Sequence, residues 1–180
     1  MTFSCEKVGL EFFETAPTIH RANVEVAATP DQIFDAFLDA EAWTKWAMPI
    51  TRVDWTSGFP LEVGSTRNVH MRGDLIGYEE FIAYEHGVRM AFRFNEMSKD
   101  SLAAFAEDYQ VTDLGGGRCR VEWTMALKPK TGKPGGDEAT EKSGAKAKVG
   151  DKMMGFMVRR MLKKFGKLVE ADFTTAGAAK

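Results

Sequence analysis

The chain has 180 residues, 44% of them hydrophobic and 28% charged, which suits one domain with its own apolar core. Its formal charge of −2 hides an asymmetry: residues 1–127 hold 11 Lys+Arg against 20 Asp+Glu, and residues 128–180 hold 13 against 6, giving −9 and +7. No run reaches the ~18 apolar residues of a bilayer span, "MTFSCEKVGL" has no leader-like apolar segment, and Cys5 and Cys119 lie outside any CxxC, so the reading is a cytoplasmic chain without a disulfide framework or zinc site.

Residues 1–17 are read as an N-terminal extension. The first clear element is "IHRANVEV", whose alternation marks a strand. The text then turns at once to "AATPDQIFDAFLDAEAWTKW", where Thr29 is a good N-cap, Pro30 fits the first helical position and Gln32 completes a capping box. Ile33, Phe34, Phe37 and Leu38 give that helix one apolar face. Asp39 can cap a second short helix, on which Trp43 and Trp46 share a face at i, i+3. Glycines that would cradle a phosphate are missing from this strand–helix junction.

From residue 50 to residue 127 no helical period is sustained. Strand-like runs recur instead: "ITRVDWT", "STRNVHM", "LIGYEEFIAY", "VRMAFRF", "AAFAEDYQVT" and "CRVEWTMAL", with "EHG" and "DLGGG" as hairpin connections. Together they read as a long antiparallel meander. Residues 128–148, "KPKTGKPGGDEATEKSGAKAK", lack aromatic and large aliphatic residues and are expected to be a flexible loop. A helix is predicted over 149–171, with Met154, Met157, Met161, Phe165 and Leu168 flanked by Phe156, Leu162 and Val169 on one broad apolar face. Lys152, Arg159, Arg160, Lys163, Lys164 and Lys167 stand largely opposite. Residues 173–180 form a short tail.

Strand alternation separates the faces of the meander. Val88, Met90, Phe92 and Phe94 share one face, with Arg89 and Arg93 on the other. By the same period Val69 and Met71, then Phe105, Tyr109 and Val111, then Val121, Trp123 and Met125 are the inward sets. Polar residues that could anchor a ligand or move a proton are Asn68, His70, Glu79, Glu80, Glu107, Asp108 and Tyr109. His70 alternates with Val69 and Met71, so it is expected to face out. Glu107 shares the parity of Phe105 and Tyr109 and is expected to point inward, where a carboxylate must be paired, protonated or near an opening. Glu107, Tyr109 and His70 are therefore the candidate catalytic residues. No GxGxxG, Walker loop, GxSxG or HExxH occurs, and His20, His70 and His86 have no partners at metal-ligand spacing, so neither metal nor other cofactor is expected.

One strand, two short helices, an antiparallel meander and a long last helix is the order of the helix-grip fold. On "VEVAATPDQIFDAFLDAEAWTKW", "EHGVRMAFRF" and "DYQVTDLGGGRCRVEWTMAL" the sequence resembles the START-like superfamily of polyketide cyclases, dehydrases and lipid-transfer domains. The resemblance covers about residues 18–169 and implies an α+β domain over 18–172, in which a curved seven-stranded antiparallel sheet wraps the C-terminal helix. It also implies a cavity between sheet and helix, roofed by the two short helices. The residues expected to line it are Phe37, Trp43 and Trp46 from the roof, Val69, Met71, Met90, Phe92 and Phe94 from the first strands, Phe105, Tyr109 and Trp123 from the last, and Met154, Met157 and Met161 from the helix. The long Lys/Gly-rich insertion departs from the usual pattern of the superfamily.

The leading expectation is binding, transport or sequestration of a small hydrophobic or amphipathic molecule such as a lipid, polyketide or quinone. The alternatives are a cyclase/dehydratase-like enzyme, with Glu107, Tyr109 or His70 as acid or base, and a chaperone-activator-like or peripheral membrane module. Nucleic acid is not an expected partner. Membrane contact is expected to be weak or absent, because only one of the two signals for stable anchoring, basic charge, is visible. The sequence sets no oligomeric state.

Overall fold

The structure is a computed structural model that describes the backbone of residues 1–130 and 142–177 and the side chains of residues 1–130, 150 and 152–172. Its elements run β1 (Phe3–Ser4), α1 (Phe12–Thr15), β2 (Thr18–Val26), α2 (Pro30–Leu38), α3 (Ala40–Trp46), β3 (Ile50–Trp55), β4 (Thr66–Met71), β5 (Leu75–Glu85), β6 (Arg89–Met97), β7 (Leu102–Gly115), β8 (Arg118–Pro129) and α4 (Lys142–Gly177). The main sheet has the order β2-β8-β7-β6-β5-β4-β3, all antiparallel, and curls around α4. Much of the loop expected over 128–148 lies outside the described residues, as does the end of the tail expected over 173–180. Residues 142–148, expected as part of that loop, are instead the first turns of α4, where Lys and Ala propagate a helix without needing a buried face; at its other end the helix runs on past residue 171 to Gly177.

The junction after β2 is held by local chemistry. Thr29 and Gln32 form the reciprocal capping box, with the Thr29 N–H donating to Gln32 Oε1 at 2.9 Å and the Gln32 N–H to Thr29 Oγ1 at 3.4 Å. At the other end of α2 two indoles take up carbonyls that the helix leaves open: Trp43 Nε1 donates to Phe37 O at 2.8 Å and Trp55 Nε1 to Leu38 O at 3.2 Å. The short helices are thus fixed by the tryptophans that follow them. Phe37 stacks on Phe165 of α4 at 4.7 Å and 5°, and Trp46 meets the same ring at 5.2 Å, so the roof is bolted to the long helix by aromatic contact.

The convex face of the sheet is also covered. Ala91, Ala104, Ala106 and Ala126 present small side chains outward, and Phe12 and Phe13 of α1 bury themselves against them. Strand β1 has a separate task. The β6–β7 ladder stops at Arg93 and Ala106, and beyond it Phe3 and Ser4 pair with Met97 and Glu96. Cys5 N donates to Asn95 O at 2.8 Å and Glu6 N to Ala103 O at 2.7 Å, so the first residues stitch together two strands that have parted.

Two sequence expectations are corrected here. Val88 is 45% exposed because it closes the turn before β6 instead of joining its inward face. Phe156 is 58% exposed: it lies nine residues before the buried Phe165, and nine residues at ~100° each is half a revolution of the helix.

Candidate functional site

The concave face encloses a cavity of about 250 Å3 between the sheet, the α3–β3 corner and α4. Its wall is largely apolar. Val69 and Met71 come from β4, Phe94 from β6, Phe105 and Tyr109 from β7, Trp123 and Met125 from β8, and Met154, Met157 and Met161 from α4, with Trp43, Ala47, Pro49 and Ile50 at the roof. Phe94 occupies its place because β5 has no side chain at Gly77, where a Cβ would stand 2.4 Å from the Phe94 ring.

Of the residues expected to line a cavity, Phe37, Trp46, Met90 and Phe92 do not reach it; they are 0–1% exposed and belong to the packed core. Inward parity placed them on the concave face, but at that end α2, α3 and α4 fill the grip completely. His70 is placed outside as well: its Nε2 lies 2.9 Å from Asp54 Oδ2 and 2.9 Å from Arg52 Nη2 on the other face of β3 and β4. Asp108, also outward, is taken up by Arg89 in a two-point pair at 2.9 Å each. Glu80 binds Asn95 and Arg93.

Two carboxyl groups remain in the apolar wall, Glu79 and Glu107. They flank β6, since Glu79 is paired with Phe94 and Glu107 with Phe92. Burial pushes Glu107 from an ordinary 4.5 up to about 8, with the nearby Glu79 charge adding to the rise. The Tyr109 hydroxyl donates to Glu107 Oε2 at 3.0 Å, and the Arg67 charge and the Trp123 N–H, which lies near the carboxyl without closing a hydrogen bond to it, also favour the ionised form, but all three are outweighed. At neutral pH Glu107 is therefore a neutral acid facing an apolar space. Tyr109 is raised well above 10 by the same burial and by Glu107, and stays a hydroxyl.

Glu79 is raised by burial, against the opposing charge and hydrogen bond of Arg67. Arg67 had escaped the sequence reading although it shares the parity of Val69 and Met71. It sits directly across from Glu79 in the β4–β5 register, its Nε 2.5 Å from Glu79 Oε2. Its guanidinium carbon lies 4.2 Å from the Trp43 ring and 4.5 Å from Phe92, with Trp55 and Phe81 further out at 5.3 and 5.6 Å. A buried cation among aromatic faces is stabilised by their quadrupoles.

Every buried side-chain polar atom found without a hydrogen bond among the described residues is an N–H donor: Trp46 Nε1, Trp123 Nε1, Arg67 Nη1 and Arg67 Nη2. Unmet acceptors are missing from that group. Trp123 borders the cavity directly, and Arg67 stands behind Trp43 and Glu79. Among the described residues no cluster of His, Cys, Asp and Glu could hold a metal ion, and no helix is long and apolar enough to cross a membrane.

A family described as "Polyketide cyclase / dehydrase and lipid transport" matches residues 18–170, which take in every strand of the main sheet and most of α4. The chain belongs to this family. Relatives close in sequence to this family member include uncharacterized proteins of Mycobacterium bovis and Mycobacterium tuberculosis, each 53% identical over 126 residues that span 70% of this chain and 75% of theirs. Among solved structures, the Zhui aromatase/cyclase of a Streptomyces species superposes with a TM-score of 0.69 at 14% identity, over 88% of this chain and 97% of that one. A START superfamily protein of Mycobacterium smegmatis superposes with a TM-score of 0.60 at 14% identity, over 88% and 98%. These two share the fold with this family member.

Proposed function

We propose that the chain binds a small, largely apolar molecule bearing a carbonyl-type oxygen in the cavity between sheet and α4, with the neutral Glu107 and the Trp123 N–H as its polar anchors. The observation that carries this reading is the Trp123 N–H, a buried donor at the cavity wall that makes no hydrogen bond. A ligand completes the site by supplying an acceptor there, while the apolar wall contributes the bulk of the affinity. Size narrows the class further. About 250 Å3 is room for roughly eight waters at ~30 Å3 each and falls below the ~300–1,000 Å3 of drug-sized pockets, which suits a molecule of one or two rings better than a long acyl chain.

A second reading, a cyclase/dehydratase-like enzyme, is favoured by Glu107 alone. A carboxylic acid whose pKa is about 8 can protonate a substrate oxygen at neutral pH and take the proton back. Tyr109 would hold the Glu107 carboxyl in one orientation during that exchange.

Titration with naphthoquinone and with naphthalene, followed by quenching of the tryptophans at the wall, tests the binding reading. Naphthoquinone is expected to bind several-fold more tightly, and Trp123→Phe to reduce that preference, with Glu107 as the remaining donor, while leaving naphthalene unaffected. Saturation by neither compound, together with no co-purifying molecule in native mass spectrometry, would sink the proposal. Equal affinity for both would remove the carbonyl requirement.

A further inference from the structure

The side of α4 turned away from the sheet has a feature that the cavity does not use. Met153 and Phe156 are 60% and 58% exposed, and helical steps of three or four residues carry the same stripe on through Arg160, Lys163, Lys164 and Lys167. These four cations are exposed, and among the described residues none of them makes a hydrogen bond or ion pair. The acid nearest in the helix, Glu170, is turned toward β2, where it accepts the Ala27 N–H at 3.0 Å. Like charges at i, i+3 and i, i+4 repel, so the quartet weakens the helix that carries it unless an anionic surface lies against it.

We propose that this outer stripe of α4 is a docking surface for an anionic lipid bilayer, with Met153 and Phe156 entering the headgroup boundary and Arg160, Lys163, Lys164 and Lys167 lying over the phosphates. Stable attachment needs two signals, apolar insertion and basic charge, and the stripe holds both in series along one helix face. An exposed aromatic beside an exposed thioether favours a bilayer over a soluble polyanion, which would have no use for either. Met154, next to this pair, is 37% exposed and also borders the cavity, so the cavity wall reaches solvent at the docking end of α4. The inference goes beyond the binding reading and does not depend on the identity of any ligand.

The test is co-sedimentation of the full chain with vesicles of phosphatidylcholine alone and of equimolar phosphatidylcholine and phosphatidylglycerol. Binding is expected only to the mixed vesicles and should fall steeply as salt is raised. Replacing Lys163, Lys164 and Lys167 by Gln together is expected to lower the partition coefficient roughly a hundredfold, about fivefold for each charge near the surface. Phe156→Ser is expected to lower it about tenfold at fixed salt. All these side chains are exposed, so Phe156→Ser should leave the melting temperature where it is, and the triple Gln variant, relieved of like-charge repulsion, should not lower it. Equal sedimentation with both vesicle types, or none with either, overturns the proposal from the unmodified chain alone. A loss on removing the lysines with no effect of Phe156→Ser also overturns it, because the stripe would then serve a soluble polyanion. Naphthoquinone binding is read separately, so failure here leaves the cavity reading standing.

Discussion

The Tyr109 hydroxyl donates to Glu107 Oε2 over 3.0 Å, yet this bond fails to hold the carboxylate ionised. Burial wins, and the proton stays. Folding therefore requires Glu107 to bind a proton that the unfolded chain has lost above about 4.5, its ordinary value. The unfolded state binds fewer protons over this window, so Glu107 makes stability fall as pH rises from about 4.5 to about 8, with its slope flattening above that. Glu107→Gln keeps the shape and can still accept from Tyr109, so it should abolish this slope and raise stability at pH 7.5 by about 1 to 3 kcal/mol. Urea denaturation at several pH values checks it; parallel curves for the two proteins would show that Glu107 is ionised in the folded chain.

Removing one partner of the Arg67–Glu79 pair should be far worse than removing both. Arg67→Met leaves a buried carboxyl without its cation and should cost about 3 to 5 kcal/mol, whereas Arg67→Met with Glu79→Gln should recover most of that loss. A double-mutant cycle in chemical denaturation measures the coupling directly. A coupling near zero would mean that Arg67 is held by its aromatic neighbours alone.

Phe92 and Met157 should part company when truncated. Phe92 is 1% exposed within the packed core, against Phe81 at 5.7 Å and Tyr109 at 6.2 Å, so Phe92→Ala should cost about 3 to 5 kcal/mol. Met157 borders a space that is already open, and Met157→Ala should cost less than about 2 kcal/mol while altering naphthoquinone affinity. Melting curves and quenching titrations on the same samples distinguish the two roles.

Gly77→Ala tests the support behind the cavity wall. The new Cβ would stand 2.4 Å from Phe94, and because the ring already packs on Phe105 at 4.5 Å it must tilt into the cavity. Overpacking of this kind costs about 1 to 3 kcal/mol, and ligand affinity should drop with it. Unchanged affinity in the Ala variant would show that the Phe94 ring escapes elsewhere.

Much of this was legible before any coordinates. The capping box, the tryptophan pair and the alternation of each long strand depend on neighbours in sequence, and local patterns fixed them. The inward turn of Glu107 and the outward turn of His70 follow from the same alternation. Arg67 was missed for a different reason: its parity was readable, but its burial depends on Glu79, which only the β4–β5 register places opposite. Phe92 and Phe94 show the same limit from the other side. Both point inward, and only the packing of α2, α3 and α4 decides that one is core and the other wall. Phe156 was within reach, since its half-turn from Phe165 is simple arithmetic on the helix. The roles of Phe3, Ser4 and Cys5 were not, because their partners lie at the far ends of β6 and β7.

The sheet order carries a consequence for how the chain comes into being. β2, formed near the start, pairs from Thr18↔Leu127 to Val26↔Cys119 with β8, about a hundred residues later, and contacts this distant in sequence are slow to form. The helices between them, with Phe34, Phe37, Trp43 and Trp46 on their buried sides, depend on β7, β8 and α4 for cover. A ribosome adding about 5 to 20 residues each second therefore holds these aromatic faces uncovered for several seconds before the last helix emerges. Newly made chains are most open to aggregation during that interval, and slower translation of the second half would lengthen it.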